Sequence, residues 1–359
     1  MDVDRDFGGS DNGPALLHNR QPQPGLSATS NLNPNTVVSL RNKTLLLALP
    51  RLAPGDLGDT GALDVLARGR VIRHSYPADT LDRILDILNL RAPSQGRAAL
   101  RLLGASDAVP AGWLAAADPV HMETCIDHLR VRELPAGTLD ADELVAVFEK
   151  LNRELGTDET LAFKTYGGSG YIEFQGGELL TPSLSALAVD GLEPAQFMAS
   201  PGEGPGGAHF HRLHAEMQMV LHETPLAGAH PRLGPVVVNA LWVWGGGQMP
   251  EVSRAALPAL FADDDLISGY WRAAGCTPER APTDLAACLP ADGSPCIVVE
   301  TGRGDSESLL QALELLKSGA VKTLIVLLGA GFQIELRRTD RYRFWRRPDP
   351  ALDESDELR

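Results

Sequence analysis

Along this chain, unbroken apolar runs of four to nine residues alternate with segments in which apolar positions recur every three or four residues, a pattern that predicts an α/β protein. Thr44–Leu49 reads as a first strand, and Leu, Ile and Val recur with helical spacing over residues 61–68 and 80–88. Residues 98–103 read as strand-like. Residues 139–155 predict an amphipathic helix with Leu144, Val145, Phe148 and Leu151 on one side and Asp142, Glu143, Glu149 and Lys150 largely elsewhere. Leu161–Tyr166 and residues 171–174, joined by Gly167-Gly168-Ser169-Gly170, predict a hairpin. The clearest βαβ unit combines a strand at Cys296–Val299, a helix at 306–317 and a strand at 321–328, paired in parallel with a right-handed crossover. Gly329-Ala330-Gly331 then turns the chain into 332–336, where Phe332, Ile334 and Leu336 alternate with Gln333 and Glu335, the pattern of an antiparallel edge strand with one wet face.

The most informative segment is residues 236–247. Residues 236–244 are nearly all apolar and rich in β-branched side chains, which suits a central strand buried on both faces. Gly245, Gly246 and Gly247 follow, either as a turn after a core strand or as backbone lying against a ligand, since glycine has no Cβ to block approach. Ligands of open α/β sheets gather at the carboxyl ends of strands, where these glycines are expected. Asn239, polar within the run, needs a partner if buried.

The chain has 359 residues, 43% of them hydrophobic, enough for a sizeable core in two lobes or one large domain with an insertion. Residues 1–38, rich in Gly, Pro, Asn and Gln, read as a disordered tail. An α/β domain follows in two parts, 39–130 and 201–348, with a small inserted α+β lobe at 131–200 and an acidic tail at 349–359. A net charge of -15 works against binding to nucleic acid or anionic membranes. Neither a signal-peptide pattern nor a run of transmembrane length is present, which suggests a cytoplasmic protein. Cys125, Cys276, Cys288 and Cys296 form no CxxC pair and read as reduced structural thiols.

Four segments are candidates for chemistry. Five of nine histidines fall between His209 and His230, and His211, His214, Gln218 and His222 share a sector of roughly 80° on a helix, opposite Leu213, Met217, Val220 and Leu221. Such a stripe is either a metal-facing surface completed by Glu216 and Glu223 or a solvated helix face; no HExxH motif favours the metal. Asp118-Pro119-Val120-His121 suits a rigid loop that presents a carboxylate and an imidazole for acid/base work, or a turn capped by the aspartate. Asp263-Asp264-Asp265 reads chiefly as a helix N-cap before residues 266–271, with cation binding as the alternative. Residues 337–347 interleave arginines with aromatics, as a charged edge strand or as a site for phosphate or an acidic partner.

Residues 113–121, Glu216 to Glu223, Asn239 to Gly247 and Phe344-Trp345-Arg346-Arg347-Pro348, in this order, resemble a bacterial family whose members go under the names cofactor-independent phosphoglycerate mutase or regulatory protein. The resemblance spans most of residues 40–350 and implies an α/β fold with a mainly parallel sheet flanked by helices, distantly similar to the alkaline-phosphatase superfamily. It points to Asp118, His121, Glu216, Gln218, His222, Asn239, Trp242, Trp244, Gly245, Gly246 and Gly247 as positions of interest and assigns a role to none of them; by residue type, Asp118, His121 and His222 are the catalytic candidates and the others the ligand-binding candidates. One departure is Ala227, where the family often has asparagine. Metal-dependent mutases of that superfamily place a serine nucleophile beside two divalent metals held by an early Asp-Gly segment and later Asp-His and His clusters. Here Asp56-Leu57-Gly58-Asp59 lacks the metal aspartate before glycine, Thr60 is a weak nucleophile candidate, and no Asp-His pair follows the C-terminal βαβ unit. A manganese or magnesium cofactor is therefore implied by ancestry and unsupported by motifs. Three readings follow: a metal-poor relative that binds a phosphorylated or acidic metabolite in a regulatory role, an active phosphotransferase with an unrecognised site, and a partner-binding protein that uses Trp242 and Trp244 or the arginine-rich terminus.

Overall fold

The computed structural model describes residues 40–342 except 59–60, 136–138, 157–159, 176–178, 225, 231–232 and 303–305. The expected tails, the Asp59-Thr60 pair and the arginine-aromatic segment beyond residue 342 lie outside the described residues. In chain order the elements are β1 (Thr44–Leu49), α1 (Ala62–Leu66), β2 (Arg70–Arg73), α2 (Thr80–Ile87), α3 (Arg97–Ser106), β3 (Leu114–Thr124) and β4 (Leu129–Glu133). They continue with α4 (Ala141–Leu155), β5 (Leu161–Tyr166), β6 (Ser169–Phe174), α5 (Gly204–Glu223), β7 (Leu226–His230), β8 (Gly234–Val238) and β9 (Ala240–Gly247). Last come β10 (Ala259–Ala262), α6 (Asp265–Ala273), β11 (Cys296–Val299), α7 (Glu307–Ser318), β12 (Thr323–Leu328) and β13 (Phe332–Arg337).

Two larger sheets organise these elements. Sheet A has the order β10-β11-β1-β12-β13-β2 and is mixed but mostly parallel: β10, β11, β1 and β12 run together, and β13 is antiparallel to both its neighbours. Sheet B is antiparallel, with the order β4-β3-β6-β5 and β9 on the other side of β3. Alternation along the strands makes both faces of each sheet apolar, and helices cover them. Leu45, Leu47, Val298 and Val326 pack with α1 and α7; Leu46, Ala48, Ile297 and Leu327 pack with α2, α3 and α6. The same three helices meet Leu114, Ala116, Tyr171, Trp242 and Trp244 of sheet B, whose other face, with Ala115, Ile172 and Val243, packs on α4 and α5. The chain is thus layered helix, sheet, helix, sheet, helix, with α2, α3 and α6 between the sheets.

Several expectations need correction. Residues 98–103 form helix α3, because Ala98, Leu100 and Leu102 pack into a helical layer that a short apolar run does not reveal. Residues 236–244 are two strands, β8 and β9, broken at Asn239, and β9 pairs antiparallel with β3 instead of lying inside the parallel sheet. The Asp118-Pro119 segment lies within strand β3, not on a loop. The Val120 carbonyl accepts from the N–H of Asn239, just before β9, so the missing N–H of Pro119 faces the opposite side, between the β6 and β4 pairings, where no ladder bond is lost. On α4 the buried valine is Val147, while Val145 is 40% exposed. In the βαβ unit, β1 lies between β11 and β12, and the edge expected at β13 is taken by β2, whose four residues are too few to stand out in the sequence.

Candidate functional site

The helices that follow β10 and β11 leave sheet A on opposite faces: α6 toward sheet B, α7 away from it. In open α/β sheets the point where helices diverge, at the carboxyl ends of the strands, is the usual ligand position. A line of polar groups crosses this rim. The Thr301 N–H and hydroxyl donate to Asp263 Oδ1 at 2.7 and 3.1 Å, joining the ends of β11 and β10. Arg51, just past β1, donates from Nε to the Thr301 carbonyl at 2.7 Å and from its two Nη atoms to both oxygens of Glu133 at 2.6 and 2.7 Å. Glu133 ends β4, so this bidentate pair ties the rim of sheet A to sheet B. Burial raises the Glu133 pKa, and Arg51 only partly opposes that rise. For Arg51 burial acts downward, but its bonds and charge pairing with Glu133 prevail and its pKa is raised.

A second group lines the inner face of sheet B. Arg101 of α3 donates to Asp118 Oδ1 at 2.6 Å, and the Trp244 indole donates to Asp118 Oδ2 at 2.6 Å. The guanidinium lies over the rings of Tyr171 and Trp244, 5.1 and 5.7 Å from their centroids. The Tyr171 hydroxyl is buried near Arg101 and makes no hydrogen bond of good geometry among the described residues.

Of the residues singled out in the sequence, the fold brings Asp118 into a hydrogen bond with Trp244 and sets it opposite Trp242 in the β3–β9 pairing, while His121, Glu216, Gln218 and His222 lie elsewhere. Asp118 and His121 are three apart on one strand and therefore face opposite sides of sheet B; His121 Nδ1 lies 2.9 Å from the Val237 carbonyl. His222 is exposed at the end of α5, and Glu216 pairs loosely with Arg212 at 4.0 Å. Gln218 is half-buried on the same helix. Along the histidine stripe, His211 Nε2 is 2.6 Å from the Ala199 carbonyl, and burial together with His211 lowers the His214 pKa to about 4. Asn239 closes the join between β8 and β9 by accepting from the Met122 N–H at 2.6 Å and donating to the Met122 carbonyl at 3.0 Å. Trp242 is wholly buried and donates to the Leu184 carbonyl at 2.9 Å. With Trp244 only 2% exposed, neither tryptophan offers a surface to a partner. The glycines continue β9 through a register shift against β3 and pack closely: a Cβ on Gly245 would meet Arg97 and Ala98 of α3 at 3.0 Å, and one on Gly246 would meet Trp113 at 2.4 Å. Cys288 and Cys296 are buried thiols whose pKa values burial pushes up, to about 12 and about 11. Arg337 and Arg338 are exposed at the end of β13.

Sequence reasoning missed Arg51, Arg101, Glu133 and Thr301. Their one signal in the sequence is position, since Arg51 and Thr301 each fall within two residues of the end of an apolar strand. Asp264 fulfils the expected N-cap, accepting from the Ile267 N–H at 2.9 Å. Burial lifts its pKa to about 6 against the pull of that hydrogen bond. The fold therefore holds the proton more tightly than the unfolded chain does, and ionisation removes stability as pH rises from about 4 to about 6. Asp264→Asn keeps a capping side chain without the charge. Melting curves are expected to show this variant gaining about 1–3 kcal/mol on the wild type at pH 8 and close to nothing at pH 4.

Among the described residues, no three His, Cys, Asp or Glu side chains are placed to hold a metal ion. No described helix is long and apolar enough to cross a membrane.

Fold and rim together define an α/β protein with a mixed, mostly parallel central sheet flanked by helices. No known family and no curated protein matches the sequence. Among solved structures the chain is similar to a cofactor-independent phosphoglycerate mutase from Thermoplasma acidophilum DSM 1728, at 14% identity over 82% of this chain and 90% of that one, with a TM-score of 0.37. It is also similar to PH0037 protein from Pyrococcus horikoshii, at 14% identity over 83% of this chain and 88% of that one, with a TM-score of 0.40.

Proposed function

We propose that this chain is a phosphoglycerate-mutase-like protein that binds a small phosphorylated or acidic metabolite at the carboxyl rim of sheet A, in a regulatory role. One observation carries the reading: the helices diverge at the ends of β10 and β11, and there Arg51 aims a planar fork across the rim. A guanidinium fork suits a carboxylate or phosphate as well as it suits Glu133, and an incoming anion would take the place of the Glu133 oxygens. Differential scanning fluorimetry of the full chain with 3-phosphoglycerate, and with glycerate as the unphosphorylated control, tests it. The melting point is expected to rise with 3-phosphoglycerate concentration, by an amount equivalent to about 2.7 kcal/mol at one hundred times Kd, and to respond less in Arg51→Gln. A wild-type melting point indifferent to the metabolite at every concentration would remove the reading.

The second reading, an active phosphotransferase, is favoured by the Thr301 hydroxyl, which donates to Asp263 at 3.1 Å on the same rim in the way an activated nucleophile meets its base. Conversion of 3-phosphoglycerate to 2-phosphoglycerate by the wild type, lost in Thr301→Ala, would select it. Unchanged turnover in that variant would take Thr301 out of the reaction.

A further inference from the structure

Three arginines near the centre of the molecule, Arg51, Arg97 and Arg101, each face a carboxylate at 2.5–2.7 Å, and all three have raised pKa values although burial acts against their charge. Arg83 of α2 differs. Its Nη1 donates to the carbonyl of Leu328, the last residue of β12, at 3.1 Å, and its Nε is buried with no hydrogen-bond partner among the described residues. Burial lowers its pKa, opposed by Asp79 and Asp82 at longer range. Those two acids are committed elsewhere. Asp79 accepts from Arg97 and from the hydroxyl and N–H of Ser185; Asp82 accepts from both Nη atoms of Arg97 and from the Asp79 N–H. A guanidinium has five N–H donors in a rigid plane, and one carbonyl accounts for one of them.

The position of Arg83 gives that spare capacity a direction. Leu328 ends a parallel strand next to β1, and the Gly329 N–H bonds the Leu52 carbonyl, so Arg83 lies along the same carboxyl rim as the loop that carries Arg51. Beyond Leu328 the chain turns through Ala330 at φ 53° and Gly331 at φ 84°, and a Cβ on Gly331 would lie 3.6 Å from Arg83 Nη2. Nη2 therefore lies beside this turn, as does the His74 carbonyl oxygen, 2.6 Å from the same Cβ position. Arg83 as a whole is half-buried, so the fork meets solvent at its outer edge while Nε does not. A cation desolvated to this degree without a directed counter-charge is costly unless an anion completes it.

We propose that Arg83 is an anion subsite on the carboxyl rim of sheet A, whose spare N–H donors take the phosphate or carboxylate group of a small metabolite beside the Leu328 to Gly331 turn. This inference rests on the reading that the rim is where the ligand binds, and it names the side chain that takes the ligand's charge. The planar fork favours two parallel N–H···O bonds to one anionic group, a geometry an ammonium cannot reproduce.

The test titrates inorganic phosphate and 3-phosphoglycerate into the full-length wild type, Arg83→Met and Arg83→Lys by calorimetry at constant ionic strength, with melting points recorded in phosphate-free buffer. Wild type is expected to bind both anions, Arg83→Met to lose at least tenfold in affinity for each, and Arg83→Lys to fall between them. Without phosphate, Arg83→Met is expected to melt at or above the wild type, because it removes a buried cation that no carboxylate completes; an arginine with a purely structural role would lower the melting point when replaced. Equal affinities in wild type and Arg83→Met would overturn the subsite and leave the rim reading standing. A wild type that binds neither anion would overturn both. If Arg83→Met fails to fold, Arg83→Lys decides alone, since a lysine variant that binds phosphate as tightly as the wild type overturns the role of the fork.

Discussion

Gly269→Ala is expected to destabilise the protein by about 2–3 kcal/mol, although alanine is the better helix former by about 1 kcal/mol. Helices α3 and α6 pack backbone to backbone at Gly104 and Gly269, in the layer between the two sheets. A Cβ on Gly269 of α6 would lie 1.7 Å from the Leu100 carbonyl oxygen of α3, and one on Gly104 of α3 would lie 1.8 Å from the Asp265 carbonyl oxygen of α6. Both obstacles are backbone atoms of regular helices, so no side chain can rotate away and the helices themselves must part. Parting them displaces Leu100, Leu102, Leu266 and Ile267 from contacts shared with both sheets. Gly104→Ala should cost a similar amount. The double variant should cost less than the sum of the two, because the first substitution opens the gap that the second needs. Gly112→Ala, where nothing lies within 4 Å of the added carbon, provides the control and should be within about 0.5 kcal/mol of the wild type. Urea denaturation of all four variants measures these differences, and a Gly269→Ala protein as stable as the control would show that the crossing is looser than described.

Replacing Arg97 by methionine should cost about 3–5 kcal/mol at neutral pH. Arg97 is 5% exposed and holds Asp79 at 2.7 Å and Asp82 at 2.5 Å, while its Nε donates to the Pro93 carbonyl at 2.9 Å. Without the guanidinium, two carboxylates of one helix turn remain, and Asp79 is itself only 5% exposed. Burial already raises the Asp79 pKa against the pull of Arg97, and losing Arg97 removes the largest opposing influence. A carboxyl with a raised folded pKa loses stability as pH rises, so the penalty of Arg97→Met should be markedly smaller at pH 5 than at pH 8. Asp79→Asn in the Arg97→Met background should recover part of the loss at pH 8, because the neutral side chain can still accept from Ser185 and cap α2. A penalty that does not change with pH would assign the effect to lost packing by the arginine stem rather than to charge.

The candidate site was only partly legible in the sequence. Trp244 and Asp118 were singled out, but the reason they matter is a contact between residues 126 positions apart, made on a strand pair that the apolar run at 236–244 does not specify. His121 was grouped with Asp118 on the premise of a loop, and strand alternation sends it to the other face of the sheet. Helical spacing places the histidine stripe only in part: Leu213, Met217, Val220 and Leu221 are buried, but Leu221 lies roughly 20° around the helix from His214, whose Nε2 is buried as well. Arg51 and Glu133 had no local signature, because an arginine after a strand and a glutamate ending another are ordinary until the fold sets them 2.6 Å apart.

What the sequence determined by itself was local. Apolar runs of strand length at Thr44–Leu49, Cys296–Val299 and Thr323–Leu328, the helical spacing of α2, α4 and α7, the Asp264 cap and the hairpin of β5 and β6 all follow from periodicity and turn chemistry acting over a few residues. Tertiary structure decided the rest. It decided which short apolar run became helix α3 and which became strand β9, since both bury their side chains equally well and only the layer against which each packs distinguishes them. It also decided which charges meet: the carboxylate partners of Arg51, Arg97 and Arg101, and the pairing of Arg83 with a carbonyl instead of a carboxylate among the described residues, depend on contacts across 15 to 245 residues that no local pattern encodes.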